Sequence, residues 1–260
     1  MWLLLKLLTL FGGALGIGFV SAIAGIGGGS LMVPFMVLLL GYNVRVAIAT
    51  SLLCIVVTSS SAASVYLRRG LVDVGTALTL EPATAAGAIA GAYVTLMLPP
   101  RLIRAALGAL FLYVSLTMLR KALQRTTPSP RAPRAVSVGR RAAGIALSFI
   151  AGVTSGMFGI GGGVIKVPLM TMVLGMPIKA AVATSSFMVG LTAASGGAVY
   201  LVRGIADPLA VIALALGILP GATLGARYMR RVRPRYVRLT FSLILLYAAA
   251  RLIYSVIGGW

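Results

Sequence analysis

The sequence predicts an all-α polytopic membrane protein built from two homologous repeats. Sixty per cent of its 260 residues are apolar and a tenth are charged, whereas soluble domains are nearer half apolar and a quarter charged. Apolar segments of about 20 residues recur, the length that a helix needs to span the hydrocarbon core. Backbone groups in lipid find no water, so these segments must be helical. They are Leu3–Ala24, Val46–Leu67, Val74–Leu98, Ala105–Leu119, Ala142–Phe158, Ala180–Val202, Pro208–Ala226 and Leu239–Val256.

The second observation is an internal repeat with a constant offset of 134 residues. The string Gly25–Gly29 recurs as Gly159–Gly163, and the register then holds without a gap. Between positions 18 and 113, 34 of the 96 residue pairs are identical. We therefore divide the chain into a first membrane repeat (1–120), a basic, proline-rich cytoplasmic linker (121–141) and a second membrane repeat (142–260). Leu3–Ala24 is taken as part of the mature protein, because no basic region precedes it, as one would in a signal peptide.

The net charge of +20 raises the question of nucleic-acid binding. The Lys and Arg residues cluster between the apolar segments, where they anchor helix ends and contact lipid head groups. We therefore expect a bilayer environment and no nucleic acid. The chain has no histidine and one cysteine, Cys54, which argues against a disulfide framework, a metal site, a cofactor and enzymatic activity.

The positive-inside rule distinguishes two arrangements of the repeats. If each glycine-containing segment and the short run after it return to the side they entered, the repeats are inverted. The inside then carries sixteen basic residues and the outside six. If each segment is a net crossing, the repeats are parallel and the division is twelve to ten. The charges favour inverted repeats.

The glycine strings are the strongest candidates for a functional site. Glycine costs a helix about 1 kcal/mol relative to alanine, so three in succession should break it. Broken backbone at membrane depth is tolerated only where it is buried in protein or lines a cavity. Secondary transporters use paired broken helices whose N-termini face an anionic substrate. Close helix packing is the alternative, which we favour for Gly12-Gly13, Gly87/Gly91 and Gly221/Gly225. The predicted substrate-binding residues at the breaks are Gly27, Gly28, Gly29, Ser30, Gly161, Gly162 and Gly163.

Lys166 follows the second break in an otherwise apolar run, where the first repeat has Met32. A charge at bilayer depth costs roughly 2.5–3.5 kcal/mol and usually serves a function, so Lys166 is a candidate ligand for an anion. The alternative is that its amine extends to the membrane surface. Glu81, the only glutamate, could pair with Lys166, carry a coupling proton, or stand at a helix start.

Duplicated hydroxyls follow the breaks at Thr50 and Ser51 and at Thr184 and Ser185. Hydroxyls can donate hydrogen bonds to sulfonate or carboxylate oxygens, although they also bond their own helix backbone. We include these four as candidate substrate ligands. Asp73 and Asp207 precede helices and are predicted N-caps.

Both halves carry Gly-x-Gly-Gly-Gly-x-x-x-Val-Pro, then Ala-x-Ala-Thr-Ser, then Tyr-Leu-x-Arg-Gly-x-x-Asp, at 25–34, 47–51 and 66–73 and again at 159–168, 181–185 and 200–207. This double motif resembles the TauE/SafE family of membrane permeases. The resemblance implies an inner-membrane transporter that exports sulfite, sulfoacetate or other C2 sulfonates, with proton coupling.

Three classes of function remain in view: a secondary transporter for a small organosulfur or carboxylate anion, an anion channel, and an intramembrane enzyme. The enzyme is disfavoured by the absence of histidine and the scarcity of acids. The sequence leaves the anion and the oligomeric state open, with a homodimer as one candidate.

Overall fold

The computed structural model of the protein describes residues 2–24, 28–123, 138–228 and 234–257. Within these ranges the chain forms ten α-helices and one π-helical turn, Phe35–Leu39, and no strand. The helices are α1 Trp2–Ala24, α2 Gly29–Pro34, α3 Val44–Arg68, α4 Val74–Met97, α5 Pro100–Leu123, α6 Val138–Phe158, α7 Gly163–Met172, α8 Ile178–Val202, α9 Pro208–Tyr228 and α10 Pro234–Ile257.

The molecule is a multi-pass membrane protein, as the sequence predicts. Six of the described helices are long and apolar enough to cross a membrane: α3, α5, α6, α8, α9 and α10. Large apolar side chains such as Met97 and Leu219 are exposed on the outside of the bundle, where lipid rather than water can cover them. The short helices α2 and α7 have six and ten residues and are too short to span.

Helices from the two sequence repeats pack in exchanged pairs. Helix α1 lies along α9, and α6, the equivalent of α1, lies along α4, the equivalent of α9. Helix α3 packs on its equivalent α8, and α5 packs on its equivalent α10. Each pair takes one helix from each repeat, so neither repeat encloses a core of its own.

Glycines bring the exchanged pairs close together. A Cβ at Gly91 in α4 would overlap the carbonyl oxygen of Val153 in α6, and a Cβ at Gly225 in α9 would overlap that of Phe19 in α1. The two contacts are equivalent under the 134-residue offset. Gly87 and Gly221 make similar contacts, as expected for close helix packing.

Gly12 differs from that expectation. A Cβ at Gly12 would meet nothing within 4 Å, whereas one at the neighbouring Gly13 would meet the ring of Phe35. The prediction of close packing is therefore wrong for Gly12, which is exposed on the outer face of α1.

Helix ends differ from the apolar segments mainly at α5 and α10, which begin at Pro100 and Pro234, five residues before the apolar runs. Proline suits the first helical turn because its missing N–H would have no partner there. Helix α5 also continues to Leu123 and α6 begins at Val138, so both ends of the predicted linker are helical.

Candidate functional site

The two glycine breaks lie against each other inside the protein. Gly28 and Gly162 directly precede α2 and α7 with φ of 92° and 71°, left-handed values that glycine adopts without strain. A Cβ at Gly29 would overlap the carbonyl oxygen of Gly159, and Ser51 Oγ in α3 donates to that same oxygen at 2.8 Å. The backbone of one break therefore touches the backbone of the other. Gly27, predicted as part of the site, lies outside the described residues.

Both breaks sit where α3 crosses α8. A Cβ at Gly161 would lie 2.8 Å from Val189 Cγ1 in α8 and 3.3 Å from Ile55 Cγ2 in α3. Ile55 and Val189 are equivalent under the repeat offset. The broken segments thus pack against apolar side chains at the crossing of α3 and α8.

Within the described part of the chain, the short helices begin with backbone N–H groups that have no acceptor. The carbonyl of Gly28 accepts from the N–H groups of Leu31 and Met32, and that of Gly162 accepts from those of Ile165 and Lys166. The N–H groups at the first two positions of each helix have no acceptor within the described part of the chain. Such N–H groups carry a partial positive charge and favour anions. These groups belong to Gly29 and Ser30 in α2 and to Gly163 and Val164 in α7.

Lys166 is the cation of the second break. Its side chain is fully buried, at 0% exposure. Its Nζ donates to Glu81 Oε2 in α4 at 3.2 Å and to Thr192 Oγ1 in α8 at 2.5 Å. Thr192 Oγ1 in turn lies 2.6 Å from Glu81 Oε1. The three side chains form a closed ring that joins α4, α7 and α8.

This ring decides between the interpretations of Lys166. The amine does not extend to the membrane surface, because it is buried and bonded to two side chains. The pairing with Glu81, which the sequence offered as one option, is present. Glu81 is 6% exposed and lies about two turns inside α4 rather than at its start, where Asp73 is the N-cap.

The first repeat has no equivalent ring. Under the 134-residue offset, Lys166 corresponds to Met32, Glu81 to Ala215 and Thr192 to Thr58. Thr58 Oγ1 donates to the carbonyl of Cys54 in its own helix at 3.0 Å. Two related breaks therefore differ chemically: the second is charged and the first is not.

The duplicated threonines connect the repeats. Thr184 Oγ1 accepts from the Asp73 N–H at 2.9 Å, and Thr50 Oγ1 accepts from the Asp207 N–H at 3.3 Å. Each aspartate side chain caps the helix it precedes, as predicted. Thr50 and Thr184 thus hold the starts of α9 and α4 against the other repeat. Ser51 is bonded to Gly159, and Ser185 is buried beside Thr184.

Sequence reasoning missed three hydroxyl residues. Thr192 completes the ring with Lys166 and Glu81. Ser21 and Ser155, the last serines before the breaks, are buried, and each Oγ has no partner among the described residues. Ser30, a predicted site residue, also has a buried Oγ with no partner among the described residues. The repeat alignment held a signal for all three missed residues, because Ser21 matches Ser155 and Thr58 matches Thr192.

Comparison with known proteins gives a consistent assignment. The family described as "Sulfite exporter TauE/SafE" matches residues 10–252. The probable membrane transporter protein YunE of Bacillus subtilis is 30% identical over 258 residues, covering 92% of this chain and 94% of that protein. A probable membrane transporter protein of Methanocaldococcus jannaschii is 26% identical over 258 residues, covering 94% and 93%.

A plant protein, Sulfite exporter TauE/SafE family protein 6 of Arabidopsis thaliana, is 35% identical over 99 residues, which are 38% of this chain and 23% of that protein. No solved structure matches this chain. The family match covers nearly the whole chain and agrees with the double motif and the helical membrane fold. The chain belongs to the TauE/SafE family of membrane transporters.

Proposed function

We propose that this protein is a secondary transporter that exports small sulfur-containing anions across the inner (cytoplasmic) membrane, coupled to protons. Sulfite, sulfoacetate and other C2 sulfonates are the candidate substrates. The observation that carries the proposal is the fully buried Lys166 amine beside a broken helix. The names of the family and of the Arabidopsis relative support sulfite as one of the substrates.

The chemistry at the second break suits an anion. The buried amine supplies a positive charge, and charge-assisted hydrogen bonds to it are roughly twice as strong as neutral ones. The first N–H groups of α7 add donors that lie close by in the chain. Sulfite, sulfonates and carboxylates all offer oxygen acceptors to such donors, so the donor set fits the class of substrate rather than one anion.

Energy for transport is expected to come from gradients. The sequence contains no nucleotide-binding motif, so direct ATP hydrolysis by this chain is disfavoured. Glu81 is the candidate for the coupling proton because its carboxylate lies against the proposed anion ligand. A homodimer stays a prediction.

A thermal-shift screen tests the substrate class. Purified protein is heated with sulfite, sulfoacetate, taurine, sulfate and acetate in turn. A ligand at a hundred times its dissociation constant should stabilise the folded protein by about 2.7 kcal/mol. We expect stabilisation by sulfite or sulfoacetate; stabilisation by acetate alone would instead favour a transporter of non-sulfur carboxylates.

Counterflow separates a transporter from an anion channel. Proteoliposomes loaded with unlabelled anion are diluted into a trace of labelled anion. A transporter that alternates access exchanges the two, so label accumulates transiently above its equilibrium level. The membrane potential is held at zero by valinomycin with equal K⁺ on both sides, so that a channel lets the anion run down its gradient without such accumulation. That outcome would replace the transporter with a channel.

A further inference from the structure

We infer that the ring of Glu81, Lys166 and Thr192 binds one proton together with each monovalent substrate anion, so that proton and anion travel in the same direction. The inference rests on the proposed function and adds the sign and the stoichiometry of its coupling. Three observations support it: the ring is closed, it is neutral overall, and the equivalent residues of the first repeat carry no charge.

The closed ring means that the anion must replace a ligand of Lys166. The Nζ atom already donates to the Glu81 carboxylate at 3.2 Å and to the Thr192 hydroxyl at 2.5 Å. A bound anion would compete with the Glu81 carboxylate for the same positive charge. A proton on Glu81 removes that competition, because a neutral carboxyl group no longer holds the amine by charge.

Charge balance gives the stoichiometry. With Glu81 ionised, the buried pair sums to zero. Adding a monovalent anion alone would leave one unbalanced negative charge inside the protein, which is strongly unfavourable. Adding the anion and one proton returns the sum to zero. The proton comes from bulk water and is held on a carboxylate oxygen of Glu81, and no other bond forms or breaks.

Among the residues that the structure describes, no other charged group near Glu81 alters this balance. Helices α6 and α8 pack on α4, and α7 brings Lys166 to it. Among the described side chains, the remaining charged residues of these helices are Arg140, Arg141 and Lys179, and all three are exposed. Asp73, the other acid of this region, caps the start of α4 and bonds Thr76.

Thr192 allows both protonation states to be fully hydrogen-bonded. A hydroxyl donates one hydrogen bond and accepts up to two. In the ion-paired state Thr192 accepts from Lys166 and donates to Glu81 Oε1, 2.6 Å away. When Glu81 carries the proton, it can donate to Thr192 Oγ1, and Thr192 can turn its own hydrogen to the Met188 carbonyl oxygen, 3.0 Å away. Thr192 is therefore a positioning residue for the proton.

By linkage, two ligands that favour each other's binding do so reciprocally. Anion binding must then raise the affinity of the site for a proton, and low pH must raise its affinity for the anion. A transporter of this kind exports the anion down the anion's own gradient, and one proton leaves with it. An exchanger that imports a proton for each exported anion would require the opposite sign of coupling.

Calorimetry on the purified full-length protein tests the sign directly. The probe is 2-hydroxyethanesulfonate, a C2 sulfonate that keeps one negative charge over the pH range tested. Titrations in two buffers with different heats of ionisation give the number of protons exchanged per anion. We expect the uptake of about one proton, and an affinity that rises about tenfold for each unit of pH lowered while Glu81 is ionised.

Two variants and one control variant sharpen the test. Glu81→Gln should bind the anion without proton uptake and without pH dependence. Thr192→Val should reduce the pH dependence, whereas Thr58→Val, its repeat equivalent with no ionisable neighbour, should keep the wild-type proton uptake. Proton release, or binding by the wild type without proton uptake, would overturn the inference while leaving anion transport intact. Failure of every tested anion to bind or to be transported would overturn the proposed function as well.

Discussion

Lys166 and Glu81 neutralise each other inside the protein, so neither can be removed alone without leaving a buried charge. Breaking such a pair typically costs about 3–5 kcal/mol, whereas replacing both partners is often nearly neutral. A single substitution at either residue therefore changes the stability of the fold as well as the chemistry of the site. Different variants are needed to measure the two effects separately.

Lys166→Met should lower the free energy of unfolding by about 3–5 kcal/mol, and Glu81→Gln in the same background should restore most of it. Thermal unfolding in detergent measures both effects. Full stability of Lys166→Met alone would contradict the buried ion pair.

The anion-binding role is tested in the stable double variant. Compared with Glu81→Gln, the Lys166→Met/Glu81→Gln protein should bind the anion more weakly by about 1.5–3 kcal/mol, the value of a charge-assisted hydrogen bond. Equal affinities in these two variants would show that Lys166 has a structural role only.

The third prediction at this scale concerns the left-handed glycines at the breaks. Gly28→Leu or Gly162→Leu should abolish transport while the protein still inserts and purifies. Gly41→Leu and Gly175→Leu are the controls, because these residues have similar φ values of 68° and 72° but nothing within 4 Å of a Cβ. All four variants carry backbone strain of about 1–2 kcal/mol, and only the first two place a side chain at the break. Loss of transport in all four would indicate strain rather than a site.

Lys166 and Glu81 could be predicted as site residues from the sequence, because each is an isolated charge in an apolar segment. Thr192 could not be predicted in this way. A threonine in an apolar helix usually bonds its own backbone, as Thr58 does, and only the packing of α4 against α8 brings Thr192 to the carboxylate.

At the scale of helices, the apolar segments located every long helix, since length and hydropathy are set by the bilayer. The π-helical turn after Pro34 and the early starts of α5 and α10 were not located, because hydropathy does not report where a helix begins or how its turns are hydrogen-bonded. The contact between the two breaks depends on how α3 and α8 cross in the folded protein. Local sequence patterns do not predict such a crossing.

Helix α4 packs so closely on α6 that adding one methyl group at the contact should destabilise the protein. Gly91→Ala would place a Cβ against the Val153 carbonyl and should destabilise the protein by roughly 1–3 kcal/mol. Gly12→Ala is the control, because its Cβ meets open space and alanine is favoured in helices by about 1 kcal/mol. Equal melting temperatures for the two variants would contradict the close contact of α4 and α6.

For the whole molecule, contacts between helix ends support the inverted arrangement of the repeats. Arg69 Nη1 donates to the Arg227 carbonyl at 3.5 Å, and the Asp73 N–H donates to Thr184 at 2.9 Å. Parallel repeats would put the partners of each contact on opposite sides of the membrane. Inverted repeats put them on the same side, together with the basic linker.

Cysteine labelling tests this topology. In a Cys54→Ala background, Arg69→Cys and Arg235→Cys should react with an impermeant reagent from the same side of the membrane, and Arg203→Cys should react from the other side. Labelling of Arg69→Cys and Arg235→Cys from opposite sides would contradict inverted repeats.

The most direct test of the whole account is counterflow of labelled sulfoacetate or sulfite in proteoliposomes. Three proteins are compared: the wild type, the Lys166→Met/Glu81→Gln variant, and Met32→Leu, which changes the equivalent position of the first repeat. The account predicts saturable exchange by the wild type and by Met32→Leu, and strongly reduced exchange by the double variant. Undiminished exchange by the double variant, or no exchange of either anion by the wild type, would contradict it.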